Sequence, residues 1–263
     1  MARARRGEAT GGRVKRLAIM AALPQELGDL IAHMRGAGDV RTVTLGKREY
    51  HVGEAHGVPV VVTLARIGKV AAAATASALI HVFGVDAILF TGVAGGVRAD
   101  VRVGDIVVAN ALLQHDLDAS PFFPRYEVPL LERTRFDADS ALSDALAAAA
   151  LAFIETEGDA LAERFAVVRP RVHRGLVVSG DKFIASHEAV SALRVALPDA
   201  LAVEMEGAAL AQVCYEHGVP CAVVRTISDT ADAAAPASFA EFLTAIAGMY
   251  SSGVLSRFLM RAA

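Results

Sequence analysis

Four carboxylates in this chain stand where apolar segments end. Glu26 follows the apolar run at 17–23, Glu204 and Glu206 flank Met205 at the end of LAVEM (201–205), and Asp229 closes CAVVRTIS (221–228). Glu204 and Glu206 lie two apart, so alternation puts both side chains on one side if the strand persists. A carboxylate at a helix N-terminus is stabilised by the helix dipole whether or not it binds anything. Here the flanks are apolar, which implies partial burial and perturbed carboxylates, the raw material of acid–base chemistry. Acids supplied by three separate strand ends are hard to dismiss as solvated charges.

TGVAGG (91–96) reads as a glycine-rich loop at a strand end, where backbone N–H groups can approach sugar hydroxyls or phosphate closely. A tight turn with no ligand has the same composition. The spacing is not GxGxxG and no GxxxxGK[ST] occurs, so dinucleotide binding and P-loop ATP chemistry are unsupported. His115 and His217 have no partner at metal-ligand spacing and the eight histidines are scattered, so no zinc or iron site is expected. Cys214 falls on the interior pattern of a helix and Cys221 at the start of a buried strand, as small core residues do. Neither Ser179 nor Ser228 sits in a GxSxG elbow.

The elements that must position these residues alternate between short apolar runs and longer amphipathic stretches. That rhythm predicts an α/β fold with helices packed on a mostly parallel sheet. Strands are expected at 17–23, as a three-stranded meander within 43–66, and at 86–92, 105–116, 172–180, 201–205 and 221–228. Helices are expected from Pro24 to about 35 and at 69–83, 137–155, 187–197, 206–217 and 238–259. In open α/β sheets the ligand crevice lies outside the carboxyl ends of the strands, so residues 24–26, 91–96, 179–181, 204–206 and 225–229 converge on one site in this reading. Residues 116–135 hold three prolines and three aromatics without a clear period, a composition suited to a lid or a subunit contact.

With 263 residues, 54% hydrophobic and 21% charged, the chain is long and apolar enough for a packed core. A net charge of -3 provides no global positive field for a polyanion, so nucleic acid is excluded as a partner. Two cysteines fit a reducing compartment, and the cytoplasm is the expected location. The most apolar stretch, 76–97, is interrupted by His81, Asp86 and glycines, so it does not make a span of roughly 20 apolar residues and no membrane is implied. Residues 1–16 carry six basic side chains and one Glu with no apolar block. They are expected to be a disordered basic extension to one domain at 17–263, without the length or amphipathic spacing of an organelle transit peptide.

Taken in order, IMAALPQEL, ARIGKVAAA, TGVAGGV with VGDIVVAN, SGDKFIAS, VEMEGAALAQVC and VVRTISDTAD resemble the nucleoside phosphorylase superfamily. More narrowly, VEMEGAA and RTISD resemble the 5′-methylthioadenosine/S-adenosylhomocysteine nucleosidases. The resemblance implies a three-layer α/β/α fold with a central mixed, mostly parallel twisted sheet. It implies hydrolysis of an adenine nucleoside without metal or organic cofactor, by a homodimer. In that likeness Glu26 positions and deprotonates the attacking water, Glu206 binds the ribose hydroxyls and Asp229 protonates the purine at N7. Met205 packs on the ribose, Phe183 stacks on adenine and the backbone of Ile184 reads its edge. Ile67, Val93, Ala94, Gly95, Glu204, Arg225 and Ser228 complete the binding surface, and Phe122, Phe123 and Pro129 line the partner subunit's 5′-pocket.

The chemistry is consistent with those roles. A purine leaves C1′ only when its ring is neutralised by protonation, while the ribose becomes cation-like and is stabilised by carboxylates. Asp229 must then hold a proton near neutral pH, which requires burial or a neighbouring acid. Val93 stands where the family often has Ser, and a valine leaves the water to Glu26, backbone groups and Arg225. Arg66 replaces a commonly small residue, and its charge raises a phosphate-dependent phosphorylase as an alternative. The loose likeness of residues 115–132 leaves open a nucleosidase for another 5′-modified purine. A nucleoside-binding domain without chemistry is the non-enzymatic alternative.

Overall fold

The computed structural model describes residues 16–165, 168–232 and 234–262. Of the basic segment 1–16, residues 1–15 lie outside the described residues. Arg16 is tied to the fold: its backbone N–H donates to Asp86 (2.8 Å) and its Nη1 to the Phe83 carbonyl (2.7 Å).

The first half of the chain runs β1 (Leu17–Ala21), α1 (Leu30–Ala37), β2 (Arg41–Leu45), β3 (Arg48–Ala55), β4 (Val58–Leu64), α2 (Lys69–His81), β5 (Ala87–Gly96), β6 (Ile106–Gln114) and β7 (Phe136–Asp137). There follow α3 (Ser140–Phe165), β8 (Val172–Ser179), α4 (His187–Ala196), β9 (Ala200–Glu204), α5 (Gly207–His217), β10 (Cys221–Asp229), α6 (Ala235–Ala245) and α7 (Ala247–Ala262). All ten strands join one mixed sheet in the order β10-β6-β8-β9-β5-β1-β4-β3-β2, with β7 beside β6. Parallel ladders join β4, β1, β5 and β10, whereas β2, β3 and β4 form the expected antiparallel meander. Because β5 also pairs with β10, the strands β5, β10, β6, β8 and β9 close on themselves.

Strand alternation builds the layers. Leu17, Ile19 and Ala21 of β1 face a core shared with α1, α3 and α7, whereas Ala18 and Met20 face one shared with α2 and α5. A strand buried on both faces must be apolar throughout, and LAIMA is. The three-layer α/β/α expectation therefore holds. Among the described residues no helix is long and apolar enough to cross a membrane.

Local departures from the sequence reading have physical causes. The helix expected from Pro24 is a 3-10 turn, Pro24–Leu27, separated from α1 by Gly28 at φ 56°. A Cβ at Gly28 would collide with the Ser252 hydroxyl oxygen, so close approach of α7 sets that break. TGVAGG is not a loop; it forms the end of β5, which stays buried because β10 and β9 pair with it there. The helix begun at Asp139 extends to Phe165, with the Asp139 carboxylate accepting from the Leu142 N–H (2.9 Å) as its cap. The C-terminal helix is two, interrupted at Ile246, and the two-residue β7 has too short a pattern to be seen in sequence.

Candidate active site

The carboxyl ends of β1, β5, β8, β9 and β10 meet at a cavity of about 330 Å³. Its wall contains Glu26, Ile67, Val93, Ala94, Gly95, Phe183, Ile184, Glu204, Met205, Glu206, Ser228 and Asp229. Thus all the candidates proposed within one subunit come together except Arg225, which lies behind the wall. Phe122, Phe123 and Pro129 are not on the wall. Sequence reasoning missed Ala22, Leu23, Lys182, Val203 and Phe239. Phe239, on α6, meets the Phe183 ring edge-on with centroids 5.5 Å apart. A lone aromatic on an amphipathic helix carries no chemical signal in sequence.

Glu26 is held in place by backbone. One carboxylate oxygen accepts from the N–H groups of Ala22 (2.9 Å) and Leu23 (2.7 Å), and the other from Val93 (2.9 Å). Burial pushes its pKa above the ordinary carboxylate value, opposed by Arg225 and these donors. A carboxylate so buried is a stronger base than one in water. Gly92 makes the arrangement possible, because a Cβ there would lie 2.7 Å from both Arg225 Nη1 and Glu26 Oε1. Val93 brings no side-chain hydroxyl to this site, and its backbone N–H already donates to Glu26.

Arg225 is 1% exposed and organises the acids. It stacks over Phe90 (4.2 Å from the ring centroid) and binds Glu204 Oε2 through Nε (3.2 Å) and Nη2 (2.5 Å). Glu204 also accepts from Ser179 and from the N–H groups of Glu206 and Gly207 at the start of α5. Its charge is thereby committed to the scaffold. The condition for Glu204 and Glu206 to share one strand face is not met, because β9 ends at Glu204; Glu206 occupies the N-cap position before α5, with its carboxylate turned to the Gly68 N–H (2.8 Å). Burial, then the Glu204 charge, push Glu206 up to about 8, although Arg225 Nη2 lies 3.9 Å away. Arg225 Nη1 is buried with no hydrogen-bond partner among the described residues, and it lies beside Gly92 and Glu26. A buried guanidinium N–H left open in this way is suited to an incoming oxygen.

Asp229 sits at the far end of β10, where a register shift between Ile227 and Asp229 turns it into the cavity wall. It accepts from the Ala231 N–H and the Ser228 hydroxyl, each at 2.8 Å. Burial raises its pKa above the ordinary value and outweighs both donors. Gly95 leaves room for it, since a Cβ there would approach Asp229 Oδ1 to 2.9 Å. The cavity therefore gathers three buried carboxylates, Glu26, Asp229 and Glu206, each with its pKa raised by burial, and the last of them lies between the starts of α2 and α5.

The sequence matches the family described as the phosphorylase superfamily over residues 16–259. The chain belongs to the phosphorylase superfamily. Within this superfamily it is 38% identical over 233 residues to an aminodeoxyfutalosine nucleosidase of Helicobacter pylori (88% of this chain, 92% of the relative). It is 37% identical over 230 residues to a 5′-methylthioadenosine/S-adenosylhomocysteine nucleosidase of Actinobacillus succinogenes (87% and 91%). A solved structure of the latter kind of enzyme from Neisseria meningitidis, in complex with methylthio-immucillin-A, superposes with a TM-score of 0.81 at 33% identity, covering 94% of this chain and all of that one. This superfamily member is accordingly an enzyme of the nucleosidase kind, an N-glycosyl hydrolase.

Proposed function

We propose that the protein hydrolyses the N-glycosidic bond of 5′-thio-substituted adenosines, 5′-methylthioadenosine and/or S-adenosylhomocysteine, releasing adenine and the 5′-thio-ribose. The observation that carries this reading is the set of three buried carboxylates, Glu26, Glu206 and Asp229, each with its pKa raised, around one cavity. Asp229 delivers its proton to N7, so that adenine departs neutral. Glu206 receives the ribose hydroxyls and, as positive charge develops on the sugar, becomes its counter-ion. Glu26 takes a proton from water, with the open Arg225 Nη1 beside it as an oxygen ligand. Phe183, backed edge-on by Phe239, stacks on the purine, Ile184 lies at its edge and Met205 lies under the ribose.

Water rather than phosphate is the nucleophile in this reading, because Glu26 would repel a phosphate dianion in a poorly screened site. A nucleosidase acting on another 5′-modified purine is the second reading, favoured by the likeness to the Helicobacter pylori aminodeoxyfutalosine nucleosidase. A cytoplasmic homodimer completes the proposal. Phe122 and Leu130 are each 87% exposed on the 116–135 segment, beside half-buried Phe123 and Pro129, an apolar set suited to a second subunit. The deciding experiment is adenine release from methylthioadenosine, S-adenosylhomocysteine, adenosine and inosine, each with and without phosphate. Turnover of the 5′-thio substrates independent of phosphate supports the proposal, and turnover that requires phosphate overturns it.

A further inference from the structure

Beyond Ile67 lies a second cavity, of about 590 Å³, which shares Ala22, Leu23 and Ile67 with the catalytic one. Ile67, 52% exposed, is one of the residues where the two meet. The second cavity is cationic: Lys47, Arg48 and Arg66 line it against one carboxylate, Glu49. Burial lowers the pKa of its His51, which adds no charge at neutral pH. Glu49 lies 3.7 Å from His51 Nε2, and among the described residues Lys47, Arg48 and Arg66 form no ion pair.

Two of the cations are nonetheless fixed. Arg48 donates to the carbonyls of Ala65 and Gly46 (3.2 Å each), and Arg66 Nη2 donates to the Lys47 carbonyl (2.5 Å). Neutral carbonyls orient a guanidinium without cancelling its charge, and most of its five donors stay free. Arg66 also holds φ at 71°, a left-handed conformation unusual for a side-chain-bearing residue. Strain of this kind clusters at ligand clamps.

We infer that this second cavity is a subsite for a carboxylate at the outer end of the substrate's 5′-substituent, read by Arg66 and Lys47. The inference rests on the proposed function, which puts the purine at Asp229 and the ribose at Glu206, so that the 5′-substituent leaves past Ile67. A carboxylate then meets guanidinium geometry suited to bidentate pairing.

The test compares 5′-deoxy-5′-(2-carboxyethylthio)adenosine with its carboxamide, equal in length and differing in charge, with methylthioadenosine as reference. Wild-type kcat/KM is expected to favour the acid by about fivefold at low salt, the scale of a partly exposed ion pair. That preference should shrink as ionic strength rises, a readout that needs no variant. The double substitution Lys47→Gln/Arg66→Gln should bring the acid-to-amide ratio near one. A wild-type ratio of one or less, or a preference that survives the double substitution, overturns the inference while methylthioadenosine turnover keeps the parent reading intact. Absence of adenine release from all three substrates overturns both.

Discussion

Replacing Glu206 with glutamine keeps the side-chain volume and its acceptor for the Gly68 N–H but removes the charge. The Glu206 side chain is 7% exposed, and its pKa is pushed from 4.5 up to about 8, first by burial and then by Glu204. The folded chain therefore holds this proton more tightly than the unfolded chain does. Stabilisation by the protonated form is complete below 4.5 and is lost as pH rises through about 8. At about 1.36 kcal/mol for each tenfold change in proton affinity, ionisation costs the empty wild type on the order of 4 kcal/mol by pH 8 to 9. For a chain of this size that is roughly 8–16 °C in Tm. Differential scanning calorimetry of ligand-free wild type and Glu206→Gln, at constant ionic strength from pH 4.5 to 9, should show the variant's advantage in Tm growing with pH. A difference that stays flat, or narrows as pH rises, would refute the reasoning that Glu206 is a desolvated, proton-retaining acid. The same variant should lose kcat, since the stored cost of the charge is recovered only when a cation-like sugar faces it.

Asp229→Asn preserves volume but delivers no proton, and adenine release should fall by about 10²–10⁴ with the melting transition retained; a variant within threefold of wild type would remove Asp229 from the chemistry. Gly92→Ala places a Cβ 2.7 Å from Arg225 Nη1 and Glu26 Oε1, both buried, so it should cost about 1–3 kcal/mol in denaturant titration and lower turnover. Wild-type behaviour in both assays would contradict that packing. Phe123→Asp should give monomers by light scattering and a higher KM for methylthioadenosine, because a charge is costly in an apolar interface; a wild type that is already monomeric at micromolar concentration defeats the dimer proposal.

Most of the cavity wall was legible because its residues sit at strand ends, where apolar runs meet Glu26, Glu206 and Asp229. The α/β class followed from the same alternation. What escaped depended on contacts distant in sequence. TGVAGG looks like a turn by composition, and only its pairing with β10 and β9 keeps it in a strand. The break at Gly28 is set by Ser252, more than two hundred residues away. The separate duties of Glu204 and Glu206 depend on Arg225, which captures the first and leaves the second near 4 Å. Lys182, Val203 and Phe239 reach the cavity through tertiary placement and have no chemical signature in the sequence.

The central claim, water attacking C1′ beside Glu26 while Asp229 protonates the departing adenine, is tested most directly by one turnover experiment in ¹⁸O-labelled water with phosphate present. Mass spectrometry of the products from methylthioadenosine should find one ¹⁸O in the free 5-methylthioribose and none in adenine. An unlabelled sugar phosphate, or free sugar without the label at C1′, would contradict it.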